Sequence, residues 1–360
     1  MRHVFYFHSN ISRNATSLDD FIKRFEIYGS HVEQIMLQNF VAVTLLLGGV
    51  KISSTHKNLI VHAFPKNPVL QLYLLIRFLR RDRNPKTLVI GDNDISLILG
   101  WIASLFARSI KIQISIHASL EQILLSAGVL NRVRKFLFFW SLKRVHSIRM
   151  VSPADVRKLS ALLPVPAPEI VFAPVPIRIP DDEPNELTKE KVAFIGRFHP
   201  ERGIEELLDI LRLMCQGNTE YNFLVVGDGP KLDWLKNEAS SLSAINIEFK
   251  GRLEQAEVQK LWSEVKVLIS CAKTESYGLT VREALLNGSL VVARANPTTC
   301  EIESRFPERF KTYTTPQEAV LHIREFMSRQ SGLSLLKDYR RQLTAEQEVF
   351  LKHLALSWVL

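Results

Sequence analysis

The chain has 360 residues, of which 46% are hydrophobic and 23% charged, with 15 glycines and 16 prolines. That composition leaves room for two ordinary domains and excludes a disordered, collagen-like or low-complexity polypeptide. The net charge of +9 is uneven: residues 1–180 hold 23 Lys+Arg against 10 Asp+Glu, and the remainder holds 23 against 27. A basic half beside a mildly acidic half predicts that the first faces something anionic, whether phosphates, a membrane surface or nucleic acid.

The N-terminus, MRHVFYFHSN, lacks the basic start, long apolar core and small-residue cleavage site of a secretory leader. The apolar stretches Phe40–Val50 and Ser96–Ala107 fall short of the roughly 20 residues that span a bilayer. A cytoplasmic location is expected. Cys215, Cys271 and Cys300 are too few and scattered for a disulfide framework or zinc knuckle and read as buried thiols. The glycosylation triplets at Asn10, Asn14 and Asn287 carry no consequence without secretion.

In chain order, VFYF, LIVHAF, TLVIG, IKIQISI and SIRMV read as strands, with helices near Leu18–Tyr28, Pro68–Arg81 and Ile95–Ala107. The densest proline region, Pro164–Pro184, runs into the charged stretch DDEPNELTKEK and marks a linker. Beyond it KVAFIG, FLVVG, IEF, VLIS and LVVA repeat the same grammar. The expectation is α/β with two Rossmann-like, doubly wound domains: 1–176, a linker at 177–190, and 191–333. A final helix over 334–360 would be free to pack back on the first domain. A substrate crevice is expected between the domains, at the carboxyl ends of the strands.

Three second-half segments carry chemistry. VAFIGRFHPERGI is a strand and loop opening a helix, with Gly196 at the strand end and Arg197 and Arg202 flanking the turn. Helix-terminal amides and two guanidiniums there could grip an anion, while alone the arginines read as solvated charges. In ESYGLTVREALLNGSLVVA, Glu275 and Glu283 lie eight apart. Thr280 with Glu283 fits a capping box on a helix that Gly288 ends, and Glu275 alone could be a solvated loop carboxylate. FLVVGDGP and FKGRL are strands running into glycine turns, in fixed order around that pair.

Together these segments resemble the retaining, nucleotide-sugar-dependent glycosyltransferases of the GT-B fold, family four (glycosyltransferase group 1), from Lys191 to about Ile302. The resemblance implies two domains facing a central cleft, with the donor in the second. It implies that Glu275 faces the transferred sugar, that Glu283 holds the ribose hydroxyls, and that the amides of Leu279 and Thr280, after Gly278, meet the diphosphate. The family's Gly-Arg and Lys-Gly pairs fall on Gly196-Arg197 and Arg202-Gly203, an arginine standing for the usual lysine. Gly251 and Arg252 would contact the base. In the first half, His117 ends IKIQISI where the family carries a histidine beside the reacting sugar; from its own surroundings it reads equally as a structural residue. Ser152 is an N-cap. The first loop, HSNISRNATSLDD, has none of the family's usual glycines, only polar Asn10, Ser12, Asn14 and Ser17.

The implied activity is hexosyl transfer from a nucleotide diphosphate sugar to a glycan or lipid-linked acceptor, in surface polysaccharide or glycolipid synthesis, with no metal or other cofactor. Alternatives stay open. Asp92-Asn93-Asp94 is an Asp-x-Asp that could hold Mn2+ or Mg2+ in a metal-dependent glycosyltransferase, or, through Asp94, simply cap the following helix. A silent partner subunit of the same fold is a third reading. A nucleic-acid-binding role finds no supporting signature. Arg77, Arg80 and Arg81 share one helix face. Arg132, Arg134, Lys135, Lys143 and Arg144 bracket a Phe and Trp cluster. These segments predict docking on an anionic membrane surface, although the second cluster's aromatics could equally fill a core.

Overall fold

Short β-branched and aromatic runs separated by amphipathic helices form two parallel α/β units. The computed structural model describes residues 3–9, 18–36, 43–48, 54–56, 59–91, 94–117, 132, 135–136, 139–163, 167–180, 189–216, 221–242, 245–329 and 334–359. One unit comprises 1–176 with 346–360 and the other 177–345.

The first unit has strands β1 (His3–His8), β2 (Val43–Gly48), β3 (Ser54–His56), β4 (Leu59–Phe64), β5 (Lys86–Ile90), β6 (Ile110–Ile116), β7 (Ser147–Met150) and β8 (Glu169–Phe172). They form one sheet in the order β3-β4-β2-β1-β5-β6-β7-β8, parallel except where β3 runs against β4. Central strands are buried on both faces, so β2 reads VTLLLG without alternation. Helix α1 (Leu18–Met36) covers one face, and α2 (Pro68–Arg81), α3 (Asp94–Ser104) and α4 (Pro153–Ser160) cover the other.

Sequence chemistry sets the ends of these helices. Asn67 accepts from the amides of Val69 and Leu70, and Pro68 stands at the first helical position of α2. Ser152 accepts from the amide of Asp155 at 3.2 Å, which is the expected cap of α4. Helix α1 runs further than expected, to Met36. Strand β8 lies inside the proline-dense stretch: residues 169–172 contain no proline, and they form the sheet's edge.

The second unit contains β9 (Lys191–Ile195), α5 (Ile204–Cys215), β10 (Tyr221–Val226), α6 (Leu232–Ala239), β11 (Ile245–Gly251), α7 (Gln255–Leu261) and β12 (Val265–Ser270). It continues with α8 (Leu279–Leu286), β13 (Leu290–Arg294), α9 (Pro297–Arg305), β14 (Phe310–Tyr313), α10 (Pro316–Ser328) and the start of α11 (Ser334–Val359). The strand order β11-β10-β9-β12-β13-β14 is that of a dinucleotide-binding sheet, and it reverses between β9 and β12. Phe194, Phe198, Leu207, Leu211, Phe223 and Phe326 belong to its core.

Residues 346–359 of α11 complete the first unit. Trp358 is buried against Phe25 and Tyr28, with ring centroids 6.3 and 5.9 Å away. Its indole Nε1 donates to Gln113 Oε1 at 2.7 Å, and its carbonyl accepts from Thr87 Oγ1 at 2.6 Å.

The three thiols differ from the expectation of uniform burial. Cys271 is buried, Cys215 half-buried and Cys300 exposed. Cys300 lies on α9 beside Thr299 and Ile302, which take the inward positions. The loop residues Asn10, Ser12, Asn14 and Ser17, together with Asp92 and Asn93, lie outside the described residues, and α3 starts at Asp94.

Candidate active site at the switch point of the second sheet

The reversal between β9 and β12 leaves their carboxyl ends side by side, and the two loops that leave them carry the candidate groups. The β9 loop ends in a turn over Pro200–Arg202 and then Gly203, which caps α5 at φ +68°. A Cβ on Gly203 would stand 2.2 Å from the carbonyl oxygen of Cys271, so glycine lets the two loops touch. The β12 loop ends in Gly278, which caps α8 at φ +74°. Neither cap supplies a side-chain acceptor. The first-turn amides of both helices therefore present a partial positive charge to an anion.

Arg202 and Glu275 meet across this junction. Arg202 Nη1 donates to Glu275 Oε2 at 2.7 Å, with the side chains 28% and 16% exposed. Arg202 Nε is buried and has no hydrogen-bond partner among the described residues. Glu275 is held from behind. Its carbonyl accepts from Thr298 Oγ1 at 2.8 Å, and Asn296, the cap of α9, accepts from the amides of Thr298 and Thr299. Arg282 is buried, donates from Nε to the carbonyl of Tyr277 at 2.9 Å and lies over the Tyr277 ring at 4.3 Å, which fixes the turn before Gly278.

Other expected residues stand apart from that pair. Arg197 is half exposed, with a 3.9 Å pair to Glu201. Gly196 ends β9; its amide donates to the Val226 carbonyl, and the Gly227 amide donates to the carbonyl of Gly251 at 2.7 Å. Three strand ends are thereby laced together. Arg252 is exposed beyond β11. Leu279 and Thr280 occupy the first turn of α8.

The proposed capping box is corrected. Helix α8 starts at Leu279 with Gly278 as its cap, so Thr280 and Glu283 are both interior. The left-handed glycine turn begins the helix before Thr280 can cap it. Glu283 instead accepts from Gln255 Nε2 at 3.3 Å. Gly288, at φ +80°, does end the helix.

His117 follows β6 in the first unit, with Nε2 3.0 Å from Ser115 Oγ. Burial pushes it well below the ordinary histidine value, and Arg149, Arg24 and His8 push the same way. His8, at the end of β1, was not singled out by its sequence, although it too is a histidine at a strand end. It is buried against Gly91, whose Cβ, if present, would lie 2.6 Å from His8 Cδ2. Burial lowers its pKa from 6.5 to about 4. Both imidazoles are therefore neutral at pH 7 and able to accept or donate one proton.

The lowered His8 value gives a signed prediction. The unfolded chain takes up a proton near 6.5 that the folded chain refuses until about 4. The stabilisation is thus whole above 6.5 and is lost as pH falls toward 4, by at most about 3 kcal/mol. Urea midpoints measured across that interval should fall less steeply in His8→Asn than in wild type. Parallel profiles would show that His8 is not the titrating group.

Residues 177–345 match the family model of glycosyl transferases group 1. An uncharacterised 41.2 kDa protein in the cps region of Klebsiella pneumoniae is 29% identical over 118 residues, covering 32% of this chain and 31% of that protein. The alpha-monoglucosyldiacylglycerol synthase of Streptococcus pneumoniae is 29% identical over 104 residues, covering 29% of this chain and 24% of the synthase. These matches span less than a third of either relative. A solved structure of the lipopolysaccharide outer core galactosyltransferase WaaB superposes with a TM-score of 0.68 at 14% identity, covering 99% of each chain. At that identity the likeness is one of fold. The second unit is a group 1 glycosyltransferase domain. The chain as a whole has the GT-B fold, two α/β units with parallel sheets.

Proposed function

We propose that this protein is a retaining glycosyltransferase that moves a hexose-type sugar from a nucleotide diphosphate sugar to an acceptor hydroxyl, in the synthesis of a surface polysaccharide or glycolipid. The observation that carries the reading is the Arg202–Glu275 pair at the switch point, flanked by two helix N-termini without side-chain caps. Negative charge grows on the departing diphosphate, and preorganised donors aimed at it are the largest single help available. Arg202 Nη1 and Nε and the amides of Leu279 and Thr280 supply such donors. Glu275 orients the guanidinium and faces the sugar. Glu283 serves the ribose, with Gly196 and Arg197 beside the phosphates and Gly251 and Arg252 at the base. In the first unit, neutral His117 would meet the sugar or the acceptor hydroxyl.

The names of the relatives support a lipid-linked or surface-glycan acceptor: a cps-region protein, a glucosyldiacylglycerol synthase and a lipopolysaccharide galactosyltransferase. The place of action in this reading is the cytoplasm, at the inner face of a membrane.

Incubation of the purified chain with UDP-, GDP- and dTDP-hexoses should release nucleoside diphosphate from one of them, faster when a lipid or glycan acceptor is added. Because arginine and helix amides neutralise the diphosphate, that rate should be unchanged by EDTA. Loss of turnover on chelation, restored by Mn2+ and absent in Asp92→Ala, would establish the metal-dependent alternative. No release from any donor by a folded chain would favour the silent subunit.

A further inference from the structure

The exposed apolar side chains of this chain are unevenly placed. Large hydrophobic residues at the surface include Val69, Leu70 and Tyr73 on α2, Ile95 and Ile98 on α3, and Leu105, Phe106, Phe136 and Trp140 in the segment that follows α3. Nine of the fourteen such residues among those described thus fall within residues 69–140 of the first unit. Helices α2 and α3 pack together through Leu75, Leu79, Leu99 and Ala103, and Trp140 lies against Trp101 with ring centroids 3.9 Å apart. An exposed apolar surface concentrated in this way marks an interaction site, unlike scattered single residues.

Helical geometry orders the groups on α2. Gln71, Leu75 and Leu79 face the sheet. The opposite face carries Val69, Leu70 and Tyr73 in the first two turns and Arg77, Arg80 and Arg81 in the last two. Tyr73 is 58% exposed and Val69 75%. Among the described residues no acidic side chain pairs with those three arginines. Every exposed charged residue described in 65–111 and 132–144 is basic. The described carboxylate Asp82 is turned inward to His3 at 2.9 Å. The aromatic cluster after residue 132 does not lie wholly in the core, since Phe136 is 67% exposed.

We infer that this layer is a membrane-docking face that sits on an anionic bilayer. Tyr73, Val69, Leu70, Ile95 and Ile98 enter the interfacial region, and Arg77, Arg80 and Arg81 engage lipid phosphates. The argument from charge selects the occupant. A purely apolar face would suit a second copy of the chain, but two copies would oppose arginine to arginine, whereas an anionic headgroup layer complements apolar, aromatic and arginine groups together. The inference deepens the acceptor half of the proposed function, and its test does not depend on turnover.

The test is co-sedimentation of the intact chain with vesicles of phosphatidylcholine alone or mixed with phosphatidylglycerol, at low and high salt. Wild type should bind only the anionic vesicles and release in high salt. Reversal of Arg77, Arg80 and Arg81 to glutamate should lower partitioning at least on the order of a hundredfold, given about fivefold per basic residue. Tyr73→Ser with Ile98→Ser should weaken binding while keeping its salt dependence. Reversal of the exposed Lys23 and Lys352, on the helices of the other layer, should change it less than twofold. Circular dichroism melts confirm that each variant folds. Equal loss in the Lys23 and Lys352 variant would overturn the assigned face. So would failure of folded wild type to bind. A lipid-free dimer that Tyr73→Ser and Ile98→Ser dissociates would replace the bilayer with a second copy.

Discussion

Arg202→Ala should lower kcat/KM by about a hundredfold to a thousandfold, the loss that follows removal of one preorganised donor to a developing oxyanion. The guanidinium is the cation placed between the two switch-point loops, and its buried Nε has no other partner among the described residues. Truncation also strands the Glu275 carboxylate, which is only 16% exposed, so the single variant should melt lower than wild type. The double variant Arg202→Ala with Glu275→Gln separates the two effects. Its melting temperature should recover, because no unpaired charge is left, and its turnover should not. Recovery of turnover together with stability would reduce the pair to a structural tie.

Gly203→Ala should be one of the most damaging single-methyl changes in the second unit. At φ +68° an L-residue carries a left-handed cost of roughly 1–2 kcal/mol. The new Cβ would also stand 2.2 Å from the Cys271 carbonyl, so β12 and α5 must separate or the turn must rebuild. A combined loss of about 3 kcal/mol corresponds to a fall of roughly 6–12 °C in melting temperature for a unit of this size. Gly251→Ala is the control. It has the same φ of +68° but nothing within 4 Å of the added carbon, so only the conformational cost applies, roughly 2–8 °C. Equal falls in the two variants would show that the contact with Cys271 is not what glycine serves.

Where the chain repeats its strand and helix grammar cleanly, the architecture was legible. Helix α2 fell on its expected bounds because Asn67 and Pro68 open it and its basic final turn closes it. Strand β2 was harder to read, since burial on both faces erases the alternation that distinguishes a strand from a buried helix. Strand β8 was hidden by the prolines on either side of a short edge segment. Much of the site was visible as motifs, with Glu275, Arg202 and Gly278 on the expected loops. Spacing alone could not show that Arg202 and Glu275 touch, because 73 residues separate them and only the strand order brings their loops together. The supporting residues Thr298 and Arg282 act through backbone carbonyls, which leaves no motif; the Asn-Pro signal at 296–297 was the available clue to the first. His8 became recognisable only when the ends of β1 and β6 were placed in the fold, where burial lowers its pKa and its charge acts on His117. The Thr280 cap failed because a local pattern was overridden by the left-handed turn at Gly278.

The most direct measurement is calorimetric titration of the intact chain with UDP, GDP, dTDP and ADP, for wild type and Arg202→Ala. One diphosphate should bind at a single site, its monophosphate should bind more weakly, and Arg202→Ala should weaken the diphosphate at least about tenfold, the loss of one charge-assisted contact. Absence of binding by every diphosphate to the folded chain, or binding that Arg202→Ala leaves unchanged, would contradict a donor site at the switch point of the second sheet.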